Sequence, residues 1–151
     1  LKLSSQYFAE NLVGSKVPKF STSILEDSNV YFTEKDIKKN KYSLINIWAS
    51  WCASCRKEHK FLLKLTKIES LDIYGINFKD KKNNAISFLD KFGNPYIFSG
   101  VDHDGSLSIN LGSYGVPESI LIDKNKNIIA QYVGPLNKKR YLEIINNIRS
   151  N

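Results

Sequence analysis

Apolar residues fall along this chain in two rhythms, short unbroken runs and stripes at helical spacing, and the two alternate. Residues 44–49 (Leu-Ile-Asn-Ile-Trp-Ala) form a run short and β-branched enough for a strand buried on both faces. From Ala53 to about residue 69 there is neither Gly nor Pro, and Phe61, Leu62, Leu65 and Ile68 recur at helical spacing, so a helix follows that strand. Residues 71–78 repeat the strand pattern, and a helix over about 84–92 is terminated by Gly93. A third strand is predicted at 96–101, then a turn at Asp102-His103-Asp104-Gly105 and a short helical piece at 107–111. Residues 119–122 and 128–133 flank Asp123-Lys124-Asn125-Lys126-Asn127 as a hairpin, and Asn137 caps a last helix that turns Tyr141, Leu142, Ile145 and Ile148 to a core. Ahead of these, Val17-Pro18-Lys19-Phe20 opens an extended segment, and Thr33 with Asp36 forms a capping arrangement for a short helix. The order predicts an α/β fold with a mostly parallel sheet, an antiparallel hairpin at its end, and helices covering it.

Length and composition narrow this picture. A chain of 151 residues suffices for one domain with its own core, and no linker or repeat divides it. Apolar residues at 42% and charged residues at 25% exclude wholesale disorder. Lys and Arg outnumber Asp and Glu by 22 to 15, a mild attraction toward acidic surfaces. The basic runs at 38–41, 79–82 and 138–140 lack the stacking aromatics of a single-strand nucleic-acid binder and read as a solvated face. No run approaches the ~18 apolar residues of a membrane span. The chain has no methionine and starts at Leu1, so residues 1–16 are expected to follow a missing membrane anchor or signal, with the domain at 17–151.

The chemistry is concentrated in Trp51-Cys52-Ala53-Ser54-Cys55, which holds the only two cysteines. This motif falls where the first buried strand ends and a helix begins. Unpaired N–H groups and the positive end of the helix dipole favour a thiolate there, so Cys52 is the expected nucleophile. Cys55, deeper in the helix, is the expected resolving thiol. A structural disulfide would close too small a loop to stabilise much. A metal site would draw on Cys52, Cys55 and His59, with His103 far along the chain, and lacks a clear fourth ligand. Asn46, six positions before Cys52, either lies beneath the thiols or hydrogen-bonds locally as a neutral group. Glu58 and Glu118 are either proton acceptors for the resolving thiol or solvated surface residues. Val116-Pro117, between a Gly and a strand, is a context for a cis bond.

With strand, Trp-Cys-x-x-Cys, helix and a later Val-Pro in place, the chain resembles the thioredoxin superfamily. More narrowly, it resembles the membrane-anchored thiol:disulfide interchange proteins of cytochrome c maturation, DsbE or CcmG. The resemblance covers about residues 17–148 and rests on Trp48-Ala49-Ser50-Trp51-Cys52-Ala53-Ser54-Cys55-Arg56-Lys57-Glu58-His59, Gly75-Ile76-Asn77-Phe78-Lys79-Asp80, Gly93-Asn94-Pro95-Tyr96, and Tyr114-Gly115-Val116-Pro117-Glu118-Ser119. It implies a thioredoxin-like fold with an N-terminal extension and an inserted β-α element before the proline. It also implies a nucleophile at Cys52, a resolving thiol at Cys55, a cis-proline at Pro117 and acidic site residues at Glu58 and Glu118. Where thioredoxin has a buried Asp this chain has Asn46, which turns attention to the two glutamates. Ala53 stands where the family usually has Pro, Phe78 for a common Tyr, and Ser119 for a common Thr.

The reaction implied is reduction of disulfides in apocytochrome c or its maturation chaperone, on the periplasmic side of the inner membrane. Electrons would come from a membrane thiol carrier of the DsbD or CcdA type, with no cofactor beyond the cysteine pair. Partner choice must come from the surface around Cys52, expected to comprise Trp51, Val116, Pro117, Glu118 and a loop from Asn77 to Asp80. The competing readings are a general envelope reductase or oxidase and a metal-binding protein using Cys52, Cys55 and His59.

Overall fold

The apolar run at the head of the motif becomes the central strand of a five-stranded sheet, in a computed structural model that describes residues 11–150. The elements are β1 (Ser21–Ser23), β2 (Tyr31–Thr33), β3 (Tyr42–Trp48), α1 (Ala53–Leu65), β4 (Leu71–Phe78), α2 (Lys82–Phe92), β5 (Ser99–Asp102), α3 (Ser106–Asn110), β6 (Glu118–Ile122), β7 (Ile128–Val133) and α4 (Lys138–Arg149). The sheet runs β5-β4-β3-β6-β7. Strands β3, β4 and β5 are parallel, and β6 and β7 join antiparallel. The expected mixed sheet is present, and a β-α element, β5 followed by α3, precedes Pro117.

Every residue of β3 and β4 is buried, and the period of two along a strand sorts their side chains onto two faces. Tyr42, Leu44 and Trp48 of β3 join the core beneath α1, α2 and α4, whereas Ile45 and Ile47 join a second core on the opposite face. Asn46 shares its parity with Leu44 and Trp48, so the strand itself aims that amide at the underside of α1. The second core is covered by the β1–β2 hairpin. Phe32 is fully buried there, 5.0 Å from both the Phe20 and the Tyr74 ring centres.

Several elements differ from the sequence reading. Helix α1 stops not near residue 69 but at Leu65, where the chain tightens into i→i−3 bonds from Lys67 N–H to Lys64 O (3.2 Å) and Ile68 N–H to Leu65 O (3.1 Å). Helix α2 starts two residues early, at Lys82, with no side-chain cap to announce it. Strand β5 spans 99–102, because Pro95 and an Asn94 side chain bonded to the Tyr96 N–H (3.0 Å) hold the start of the expected strand in a turn. The β1–β2 hairpin forms where the sequence predicts only an extended segment. The capping box at Thr33 and Asp36 is present, around a single 3-10 turn. Residues 14–16, assigned to the segment ahead of the domain, pair with the strand-β7 end through Gly14 N–H to Ile128 O (2.8 Å) and Ile128 N–H to Ser15 O (2.8 Å). Among the described residues no helix is long and apolar enough to cross a membrane.

Candidate redox site

Strand β3 delivers the chain to Ala49, Ser50 and Trp51, and α1 opens immediately after Cys52. Cys52 is the N-cap of that helix, in extended conformation, and its sulfur accepts the Cys55 N–H at 3.1 Å. A thiolate at this atom would take over the work of a capping oxygen. The two cysteines form a disulfide with Cα atoms 5.3 Å apart, Cys52 at 8% exposure and Cys55 at 2%.

The approach to Cys52 is clamped by the loop after β4. Asp80 accepts the Ser50 N–H and the Ser50 hydroxyl, both at 2.7 Å, and also the Asn77 amide (3.0 Å) and the Lys81 N–H (2.8 Å). Trp51 donates its indole N–H to Lys79 O at 2.9 Å, which holds the ring in place while 58% of the residue stays exposed. Asn77 and Asp80 were expected to touch a partner. Asn77 is 2% exposed with its amide committed to Asp80, and Asp80 is spent on Ser50, so the pair supports the loop from behind.

Beneath the cysteines lies a polar network that burial makes consequential. Glu58, one turn beyond Cys55, is fully buried. One carboxylate oxygen accepts the Asn46 amide (2.9 Å) and the other the Leu136 N–H (2.9 Å). Desolvation dominates these hydrogen bonds and the pull of Arg140, raising the pKa to about 7. Tyr96 donates its hydroxyl to the Asn46 carbonyl oxygen at 2.7 Å, which turns the Asn46 NH2 toward Glu58 and toward the Ser119 hydroxyl at 3.1 Å. Burial and the nearby Glu58 charge hold the Tyr96 phenol well above its usual range, so it remains a donor. Of the two readings of Asn46, the structure supports a place under the helix, bonded to residues distant in sequence.

The second glutamate is placed differently. The Val116-Pro117 peptide is cis, Pro117 is buried, and Val116 packs against the core cluster that contains both cysteines. Glu118 is 2% exposed and accepts the Tyr114 N–H (3.1 Å) and the Gln131 amide (2.9 Å), so both its oxygens brace the proline loop. Neither glutamate is a solvated surface residue. His59 shares its Nε2 with Gly93 O at 2.7 Å and packs edge-on against Phe88, and burial lowers its pKa. That nitrogen is therefore occupied, and His103 is exposed on the loop after β5. Among the described residues no group of three or more His, Cys, Asp or Glu is arranged to hold a metal. Sequence reasoning missed the roles of Tyr96, Ser50 and the Leu136 N–H. The signals in the sequence were Tyr96 inside the Gly93-Asn94-Pro95-Tyr96 segment and Ser50 inside the segment from Trp48 to His59.

A five-stranded sheet with a CxxC disulfide at the start of the helix after its central strand, and a cis-proline ahead of β6, defines a thioredoxin-like thiol:disulfide oxidoreductase. The family model described as Redoxin matches residues 12–147. The thiol:disulfide interchange protein DsbE of Escherichia coli is 40% identical over 134 residues, covering 89% of this chain and 72% of that protein. Its counterpart in Pseudomonas aeruginosa is 42% identical over 132 residues, covering 87% and 72%. Among solved structures, a secreted thiol-disulfide isomerase from Corynebacterium glutamicum shares the fold at TM-score 0.77 and 22% identity, covering 89% and 86% of the two chains. A putative DsbE from Chlorobium tepidum does so at TM-score 0.74 and 24% identity, covering 89% and 94%. The chain belongs to the redoxin family and, within it, to the DsbE thiol:disulfide interchange proteins.

Proposed function

We propose that this protein reduces disulfides in apocytochrome c, or in the chaperone that presents it, during cytochrome c maturation. It works on the periplasmic side of the bacterial inner membrane, tethered by an N-terminal segment and recharged by a membrane thiol carrier of the DsbD or CcdA type. The observation that carries the chemistry is a single one. Cys52 caps α1, and Cys55 and Glu58 follow at positions three residues apart on the buried face of that helix.

In the forward reaction the Cys52 thiolate attacks one sulfur of the partner's disulfide. The partner S–S bond breaks, a mixed disulfide forms, and the other partner sulfur leaves as a thiolate that takes up a proton. Cys55 then gives its proton to Glu58, whose pKa near 7 suits it to accept one near neutral pH. The new Cys55 thiolate attacks Cys52, the bond to the partner breaks, and the Cys52–Cys55 disulfide closes. The second partner sulfur leaves as a thiolate and takes up a proton from solvent, Glu58 returning its own to solvent, so the partner departs with two thiols. Two electrons pass from the cysteine pair to the partner. Glu118 holds the Pro117 loop against which the partner strand pairs, with Trp51 and Val116 at its sides.

The test is a Cys55→Ser variant, which stalls at the mixed disulfide. It should trap a peptide carrying an oxidised haem-attachment Cys-x-x-Cys-His sequence in preference to a scrambled control. Equal trapping of both would favour the general envelope reductase.

A further inference from the structure

Beside Cys52, between α1 and α2, runs a groove of about 600 Å³ whose lining includes Trp51, Cys52, Arg56, Lys57, Phe88 and Phe92. Its floor is aromatic and its charged groups are all cationic. The Arg56 guanidinium carbon sits 4.5 Å above the Phe92 ring centre, and the Lys91 ammonium lies 5.4 Å from the same ring. Stacking engages the face of a guanidinium and leaves its N–H groups free at the edge. Among the described residues Arg56 and Lys57 have no hydrogen-bond or ion-pair partner for their side chains. Asp90 precedes Lys91 on α2 but does not line the groove.

An exposed cation alone says little. Arg56 differs because its guanidinium rests over the Phe92 ring, its fork of donors matches a carboxylate, and it shares one groove with the expected nucleophile. Arg56 lies four positions beyond Cys52 along the helix, an axial distance of about 6 Å. An extended chain advances about 3.3 Å per residue, so a partner joined to Cys52 reaches Arg56 with its second or third residue from the cysteine.

We propose that this groove is a recognition subsite for an acidic segment of the oxidised substrate polypeptide. A carboxylate two or three residues from the attacked cysteine bonds Arg56 and Lys57, and the apolar part of the segment lies on Phe88 and Trp51. The inference rests on the exchange at Cys52 proposed above and adds a chemical preference to it. The subsite acts before the mixed disulfide forms, on the encounter and on the transition state of the attack, and so shows in the reaction rate. Exposed ion pairs are weak, so the expected gain is about three- to tenfold in the second-order rate constant.

The experiment is a single-turnover reaction of the reduced protein with three disulfide-cyclised peptides, quenched in acid and separated by chromatography. The peptides are identical except at the second and third residues from the attacked cysteine, which are Glu-Glu, Gln-Gln or Lys-Lys. The expected order is Glu, then Gln, then Lys, with the spread collapsing toward unity at about 0.5 M salt as screening shortens the reach of surface charges. The double variant Arg56→Gln, Lys57→Gln should level the series. Lys38→Gln, which removes a charge near the opposite end of β3, should keep it. Equal rates for all three peptides overturn the subsite and leave the exchange reading intact. Levelling by Lys38→Gln also overturns it, since net charge alone would then explain the preference. If no peptide is reduced, the proposed function falls and the subsite with it.

Discussion

Burial decides what Glu58 can do. Its neighbours alone, two N–H donors and Arg140, would hold it ionised in the ordinary carboxylate range, but loss of solvent outweighs them and brings the pKa from 4.5 to about 7. A carboxyl with a raised folded pKa favours the folded state while it is protonated. That contribution is complete below the unfolded value of 4.5 and is lost as pH rises through 7. In the oxidised protein, where neither cysteine titrates, the stability of the wild type minus that of Glu58→Gln should fall between pH 5 and pH 8 by about 3 kcal/mol at most, read from urea unfolding. A flat difference would mean that Glu58 is ionised throughout and would remove it as proton acceptor. In the reduced protein the same variant should slow resolution of the mixed disulfide on the order of 10²-fold at neutral pH, and the deficit should close above pH 9 as Cys55 ionises unaided. The two thiols should also separate in reactivity. Iodoacetamide should modify Cys52 well below pH 8 and leave Cys55 slow until the protein unfolds, whereas equal rates would refute the nucleophile assignment.

At the scale of elements, the site depends on how closely β4 passes the aromatic wall of the helical core. A Cβ on Gly75 would meet the Ser99 hydroxyl at 2.5 Å, the Trp48 indole nitrogen at 2.8 Å and the Tyr96 ring at 3.0 Å. Trp48 and Tyr96 are stacked and buried, so neither can yield. Gly75→Ala should therefore destabilise the oxidised protein by about 1–3 kcal/mol in urea unfolding. Gly115→Ala, with nothing within 4 Å of its added carbon, should stay within about 0.5 kcal/mol. The elements around this contact were legible because each carries its own period. The unbroken apolar runs of β3 and β4 and the stripe of α1 need no distant partner to be recognised. The β1–β2 hairpin was not legible, since its strands are three residues each and its register is set by pairing rather than by pattern. The same limit applies to chemistry. Cys52 and Cys55 announce themselves by spacing, whereas Tyr96 acquires a role only through Asn46, fifty residues earlier, and the Leu136 N–H only through Glu58. Asn77 is expected as a contact residue because it opens the loop to Asp80 that borders Cys52. It is buried because odd residues of β4 point under the helices.

For the whole molecule, the reduction potential is a statement about folding. Oxidising the cysteine pair in the folded and in the unfolded chain closes a thermodynamic cycle, so the pair is more reducing than in a flexible chain to the extent that the oxidised fold is the more stable of the two. The opposite balance, a stabilised dithiol, makes a strong oxidant. Here two influences oppose each other. The start of α1 favours a Cys52 thiolate, while a buried carboxylate one turn beyond Cys55 on the same helix disfavours a second negative charge once Glu58 ionises near pH 7. The fully buried position of Glu58, and the burial of Cys55 above it, leave little water to screen that repulsion. The oxidised protein should thus resist urea better than the reduced protein at pH 8, and the potential should fall nearer thioredoxin's ~−270 mV than the ~−120 mV of a strong oxidant. Glu58→Gln should narrow the gap between the two forms and move the potential in the oxidising direction, by about 30 mV for every 1.4 kcal/mol of narrowing. Both quantities can be measured on one set of samples, by unfolding each redox form and by equilibration with glutathione. Agreement between them tests the cycle itself. A reduced form more stable than the oxidised one would turn the protein into an oxidase and exclude the reductant role in cytochrome c maturation.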